Sequence, residues 1–83
     1  MSEFTEDCIN AIDLALAGKW DDAHKIVQEI NTDVAQWIHA VLHKIEGDIH
    51  NSRYWYGRSG LKRYEDYIDP NHELSIIREE LLN

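Results

Sequence analysis

Apolar residues recur every three or four positions along most of this chain, in blocks separated by a glycine or a few polar residues. No block alternates in the two-residue rhythm of a strand. Phe4, Cys8, Ile9, Ile12, Ala15 and Leu16 form the first apolar stripe. Ser2 or Thr5 is the expected cap, Glu3, Glu6 and Asp7 suit the opening turn, and Gly18 is the expected stop. A second helix is predicted over about 20–30, with Trp20, Ala23, Val27 and Ile30 inward. After Asn31-Thr32-Asp33, a capping box of Asp33 with Gln36 opens a third helix over about 34–46. That helix buries Val34, Trp37, Ile38, Val41, Leu42 and Ile45.

Gly47 stops the third helix and Asp48 caps a fourth over about 49–59, ended by Gly60. Ile49, Ser52, Tyr56 and Ser59 fall on its core side, Asn51, Tyr54 and Arg58 on the opposite side, and Trp55 between. Leu61, Tyr64 and Ile68 keep a helical spacing over a short segment. Asp69-Pro70 then opens a last helix over about 70–82, with Leu74, Ile77, Leu81 and one of Ile76 or Leu82 inward. Short turns between amphipathic helices make neighbours antiparallel. The expected fold is all-α: antiparallel helical hairpins with a C-terminal capping helix, one domain over residues 1–83.

At 83 residues the core is thin, and a deep substrate cavity is not expected. A hydrophobic content of 43% and a charged content of 29% fit a globular rather than a disordered chain. The single cysteine, Cys8, excludes an internal disulfide, and its place on an apolar stripe marks it as an inert core thiol. The acidic start is unlike a leader peptide and no apolar run reaches bilayer length, so a cytoplasmic location is expected with no membrane partner.

Charge is segregated. Residues 1–33 carry eight acids against Lys19 and Lys25 (−6), and residues 64–83 carry six acids against Arg78 (−5). Residues 34–63 carry Glu46 and Asp48 against Lys44, Arg53, Arg58, Lys62 and Arg63 (+3), giving the net −8. An acidic body disfavours nucleic acid at long range but leaves room for a local anion site in the middle.

The stretch Gly18-Lys19-Trp20-Asp21-Asp22-Ala23 lies over Gly47-Asp48-Ile49-His50-Asn51-Ser52 on one plan. In each, a glycine turns the chain, an apolar residue follows two positions on, and a small residue comes five after the glycine. Residues 8–60 thereby resemble the tetratricopeptide-type helical hairpin, although the offset is 29 residues (47 − 18) rather than about 34. The run from His39 and His43 through Glu46-Gly47-Asp48 to Tyr54-Trp55-Tyr56 also resembles small bacterial proteins, which implies no activity. The tetratricopeptide resemblance implies binding of peptides or partner proteins.

Two constellations carry candidate chemistry. Arg53, Tyr54, Trp55 and Arg58, with Asn51 one turn earlier, combine guanidinium forks with aromatic rings. Such a surface suits an acidic peptide or another anionic group on a partner protein. The structural alternative is that Trp55 and Tyr56 pack the hairpin while the cations pair with the acidic ends. His39, His43 and Glu46 share one side of the third helix, off its apolar stripe, and could converge on a divalent metal such as zinc. The His-Ala-Val-Leu-His run lacks the glutamate of the zinc-protease helix, and no serine sits in a nucleophile motif, so enzymatic activity has little support. The leading expectation is an interaction module without a cofactor, the alternative a metal-binding protein. Burial of leftover apolar surface against a second copy makes a homodimer a further expectation.

Overall fold

A computed structural model describes residues 4–83. Its order is α1 (Thr5–Leu16), α2 (Trp20–Val27), α3 (Asp33–Ile45), α4 (Ile49–Ser59), a 3₁₀ turn (Tyr64–Asp66) and α5 (Pro70–Leu82). The fold is all-α, and no strand occurs among the described residues. None of its helices is long and apolar enough to cross a membrane. α1 pairs with α2 and α3 with α4, while α5 lies against α1 and α3.

The two hairpin turns share one geometry. Gly18 and Gly47 both sit at φ +82°, a region open to glycine because it has no Cβ. The Gly18 N–H donates to Ala15 O at 3.0 Å and the Lys19 N–H to Leu14 O at 2.8 Å. Twenty-nine residues on (47 − 18), the Gly47 N–H donates to Lys44 O at 3.1 Å and the Asp48 N–H to His43 O at 3.0 Å. Both are the double-bonded glycine cap that satisfies the last carbonyls of a helix. Ala23 and Ser52, each five residues past its glycine, are fully buried. The Ser52 hydroxyl donates to Ala40 O at 2.7 Å, so this small residue meets a neighbouring backbone without leaving a polar group unpaired.

Helix starts differ in detail from the sequence expectation. Thr5 is the first residue of α1 and is buried rather than capping it, and Ser2 lies outside the described residues. α2 stops at Val27, because Ile30 bonds back to Val27 O at 3.1 Å in a tighter turn that drops Ile30 into the core. At α3 the cap is Thr32, whose Oγ1 accepts from the Ala35 N–H at 3.2 Å. Gln36 instead reaches Asn31 Oδ1 at 2.7 Å, so Asp33 opens the helix without the predicted box. Asp48 and Asp69 cap α4 and α5 as expected, accepting from Asn51 N and Asn71 N at 3.2 and 2.9 Å. Ile49, placed inward by periodicity, is half exposed: it opens α4, and α5 covers α1 and α3 instead.

α3 is the axis. Every residue from Ala35 to His43 is buried, so this helix has no water-facing side over more than two turns. It packs against α1, α2, α4 and α5. A periodic stripe identifies one apolar face and assigns the rest to solvent. Here neighbours cover the polar face too, which overturns the expectation that His39 and His43 lie off the core.

The same helix anchors α5 through a buried carboxylate. Glu73 is 0% exposed and lies among three donors: Trp37 Nε1 at 2.8 Å, Tyr56 Oη at 2.7 Å and Lys44 Nζ at 2.9 Å. Lys44 also donates to Tyr64 O at 3.0 Å and Tyr67 O at 3.1 Å, using all three ammonium protons. Burial together with the Glu73 contact pushes the Tyr56 hydroxyl well above the ordinary phenol range. One carboxylate thus ties α3, α4, α5 and the segment after α4 together.

Candidate functional site

The outer side of α4 carries the predicted binding residues, and the structure sorts them into two neighbouring patches. On the first, Tyr54 is 54% exposed and its ring meets Trp55 edge-on, with centroids 5.2 Å apart. Arg58, one turn later, places Nη1 3.4 Å from the Tyr54 hydroxyl and its guanidinium carbon 5.6 Å from the Trp55 ring centre. The i, i+4 spacing of 54 and 58 produces this meeting. On the second patch, Arg53 lies 4.6 Å over the Tyr64 ring and pairs with Glu65 at 2.5 Å. Asn51 does not join either patch, because its side chain donates to Asp48 Oδ2 at 3.0 Å and completes the helix cap.

From Asn51 to Tyr64 the chain has four cations and no acid. Arg53 is held by Glu65, and Arg63 approaches Asp66 at 3.7 Å. Arg58 and Lys62 have no carboxylate partner among the described residues; Lys62 lies 5.7 Å over the Trp37 ring. Arg53, Tyr56, Gly57, Lys62, Arg63, Tyr64 and Glu65 line an open pocket of about 240 Å³ beside α4. Aromatic faces under cations keep the charges in place at modest desolvation cost.

The histidine face is arranged otherwise than the sequence suggested. His39 and His43, on α3, meet His24 from α2, which periodicity had left unremarked. Nε2 of His24 and Nε2 of His39 are 3.1 Å apart. The His39 and His43 rings stack at 5.0 Å between centroids, and His24 stands edge-on to both at 4.7 and 5.4 Å. Glu46 is held 2.5 Å from His43 Nδ1, and the third imidazole of the group is supplied by His24. Two indoles enclose the set: Trp20 stacks on His24 at 4.8 Å and Trp55 on His39 at 3.9 Å. Trp20 is itself fixed by a 2.6 Å bond from Nε1 to Leu42 O. Burial, then the neighbouring His24 and His43, push the His39 pKa down to about 3, so its ring is neutral at ordinary pH.

Three features escaped periodicity. His24 sits in the short, polar second helix, Lys44 next to the apolar seam of α3, and Glu73 in the first turn of α5, where an acid ordinarily faces water. Pairing across helices, rather than spacing along one, gives each its place. Comparison with protein-family profiles, with curated proteins and with solved structures finds no match. Fold and sites together define the chain as a small all-helical protein with a cationic aromatic face and a buried imidazole cluster.

Proposed function

We propose that the protein is a small cytosolic interaction module that binds an acidic segment of a partner protein through the outer side of α4 and the loop after it. The observation that carries this reading is the acid-free run from Asn51 to Tyr64, in which Arg58 stands beside the exposed Tyr54 ring and the partly buried Trp55, Lys62 lies over the buried Trp37 ring, and neither cation has a carboxylate partner among the described residues. The remaining surface is acidic, since the chain totals −8. An acidic segment approaching from most directions is repelled and meets attraction only here, so charge sets orientation as well as encounter rate. Arg58 offers a planar fork for a carboxylate, while Tyr54 and Trp55 supply the apolar contact on which binding energy concentrates.

The Arg53–Glu65 pair is a competitor within this face rather than a lock. Both side chains are about half exposed, and solvent and salt screen such a pair so that it holds only weakly. An incoming carboxylate can take the place of Glu65 at little cost. The test is capture of partner protein by the wild type and by the double variant Arg53→Ala, Arg58→Ala, with helicity followed by circular dichroism. Loss of capture at unchanged helicity is expected, and equal capture by the variant would contradict the proposal.

A further inference from the structure

The interaction face makes no use of the three imidazoles behind it. One nitrogen from each of His24, His39 and His43 lies within 4.8 Å of the others, in a setting where two of the three rings are buried. Two nitrogens bound to the same tetrahedral zinc at the usual 2.0–2.1 Å stand roughly 3.3 Å apart. His24 Nε2 and His39 Nε2 are already 3.1 Å apart. A nitrogen of His43 lies within 4.8 Å of both, which places a third donor beside the same point.

The surroundings prepare each ring for this role. Glu46 at His43 Nδ1 holds the proton on that nitrogen and leaves the lone pair on Nε2, the carboxylate–histidine arrangement that orients metal ligands. Trp20 and Trp55 fix the planes of His24 and His39 by stacking at 11° and 13°. His24 is only partly buried, so the cluster opens to solvent on the α2 side. Without a metal, the His24–His39 contact is an N–H···N hydrogen bond in which one Nε2 donates to the other; a bound cation would take both lone pairs in place of that shared proton. Neutral nitrogen donors favour zinc and its neighbours in the first transition row over calcium or magnesium, which take oxygen.

We propose that His24, His39 and His43 bind one divalent transition-metal ion of the zinc class, with Glu46 as the positioning residue behind His43 and the fourth coordination place open toward α2. The site links α2 of the first hairpin to α3 of the second. It uses different ligating side chains from the acidic-partner face and shares only Trp55 with it.

The experiment uses chelator-treated full-length protein titrated with cobalt(II), read by its visible ligand-field absorption, and with zinc(II) by calorimetry. One ion per chain with tetrahedral or five-coordinate cobalt bands is expected. His24→Ala removes a partly buried ligand outside the core cluster and should abolish the bands, while Glu46→Gln should weaken zinc binding about ten- to a hundredfold without changing stoichiometry. His50→Ala and His72→Ala should bind as wild type does. Absence of stoichiometric binding by the wild type, or cobalt bands unchanged in His24→Ala, would overturn the proposal. So would loss of binding in His50→Ala or His72→Ala.

Discussion

The indole of Trp55 stacks on the imidazole of His39 with centroids 3.9 Å apart and planes 13° from parallel, joining α4 to the polar side of α3. The same indole lies under Arg58 on the exposed side of α4. The two candidate sites therefore share one side chain, and neither is a free-standing patch on the surface.

Trp55→Ala should expose His39 and remove the ring that steadies Arg58. Trp55 is only partly buried, so the loss of stability is expected at the low end of the range for large-to-small changes, about 2–3 kcal/mol. Urea unfolding of the variant checks this. A change below about 0.5 kcal/mol would mean that the stack does not contribute to packing.

Glu73→Ala should be among the most damaging single substitutions. It leaves the Lys44 ammonium buried with no carboxylate and removes the acceptor of Trp37 and Tyr56. Breaking a buried pair in this way costs about 3–5 kcal/mol. Glu73→Gln preserves shape and some acceptor capacity and should cost less. The ordering of the two melting temperatures is the readout, and Glu73→Ala melting at or above Glu73→Gln would contradict the network.

Glycine substitutions should divide by sign. Gly18→Ala and Gly47→Ala place a Cβ at φ +82° with no atom within 4 Å, so the cost is conformational alone, about 1–2 kcal/mol and alike at the two turns. Gly57 lies within α4 at ordinary helical angles with open space around it, and Gly57→Ala should stabilise by about 0.5–1 kcal/mol. Chemical denaturation of the three variants settles the signs. Destabilisation by Gly57→Ala would show that α4 is not a continuous helix in solution.

Alkaline pH should destabilise the fold. Burial, with a smaller effect from Asp7, raises the Cys8 thiol to about 11, and Tyr56 is raised still further. Both keep their protons in the folded state when the unfolded chain has lost them. Stability is therefore fully present below the unfolded values, and the Cys8 share is lost as pH rises from about 9 toward 11. Within that window one such proton corresponds to a slope of about 1.4 kcal/mol per pH unit. Cys8→Ala should flatten the curve in this window even though it lowers stability overall. An unchanged slope in that variant would assign the alkaline loss elsewhere.

Much of the architecture is legible in the sequence because its signals are local. Gly47 followed by Asp48, and Asp69 followed by Pro70, mark stops and starts that depend on only a few neighbouring residues, and both stand where expected. The outward placement of Tyr54 and Arg58 was equally readable, since Ser52, Tyr56 and Ser59 define one inner side of α4. What periodicity cannot express is a helix with neighbours all round. His39 and His43 therefore read as a water-facing pair, and their partner His24 stayed invisible because it comes from another helix. Glu73 escaped for a related reason: a carboxylate becomes buried only when donors from distant segments converge on it. Ile68, 97% exposed, marks the opposite limit, where helical spacing continues past the end of the helix that would bury it.

The central claim is that the cations and aromatic rings on the outer side of α4 form a docking face for acidic partners. Amide and indole NMR shifts during titration with an oligoglutamate peptide test it most directly. Changes centred on Arg53, Tyr54, the Trp55 indole, Arg58 and Lys62, weakening as salt is added, are the predicted result. Shifts spread evenly over the chain, or centred on α1 and α5, would contradict it.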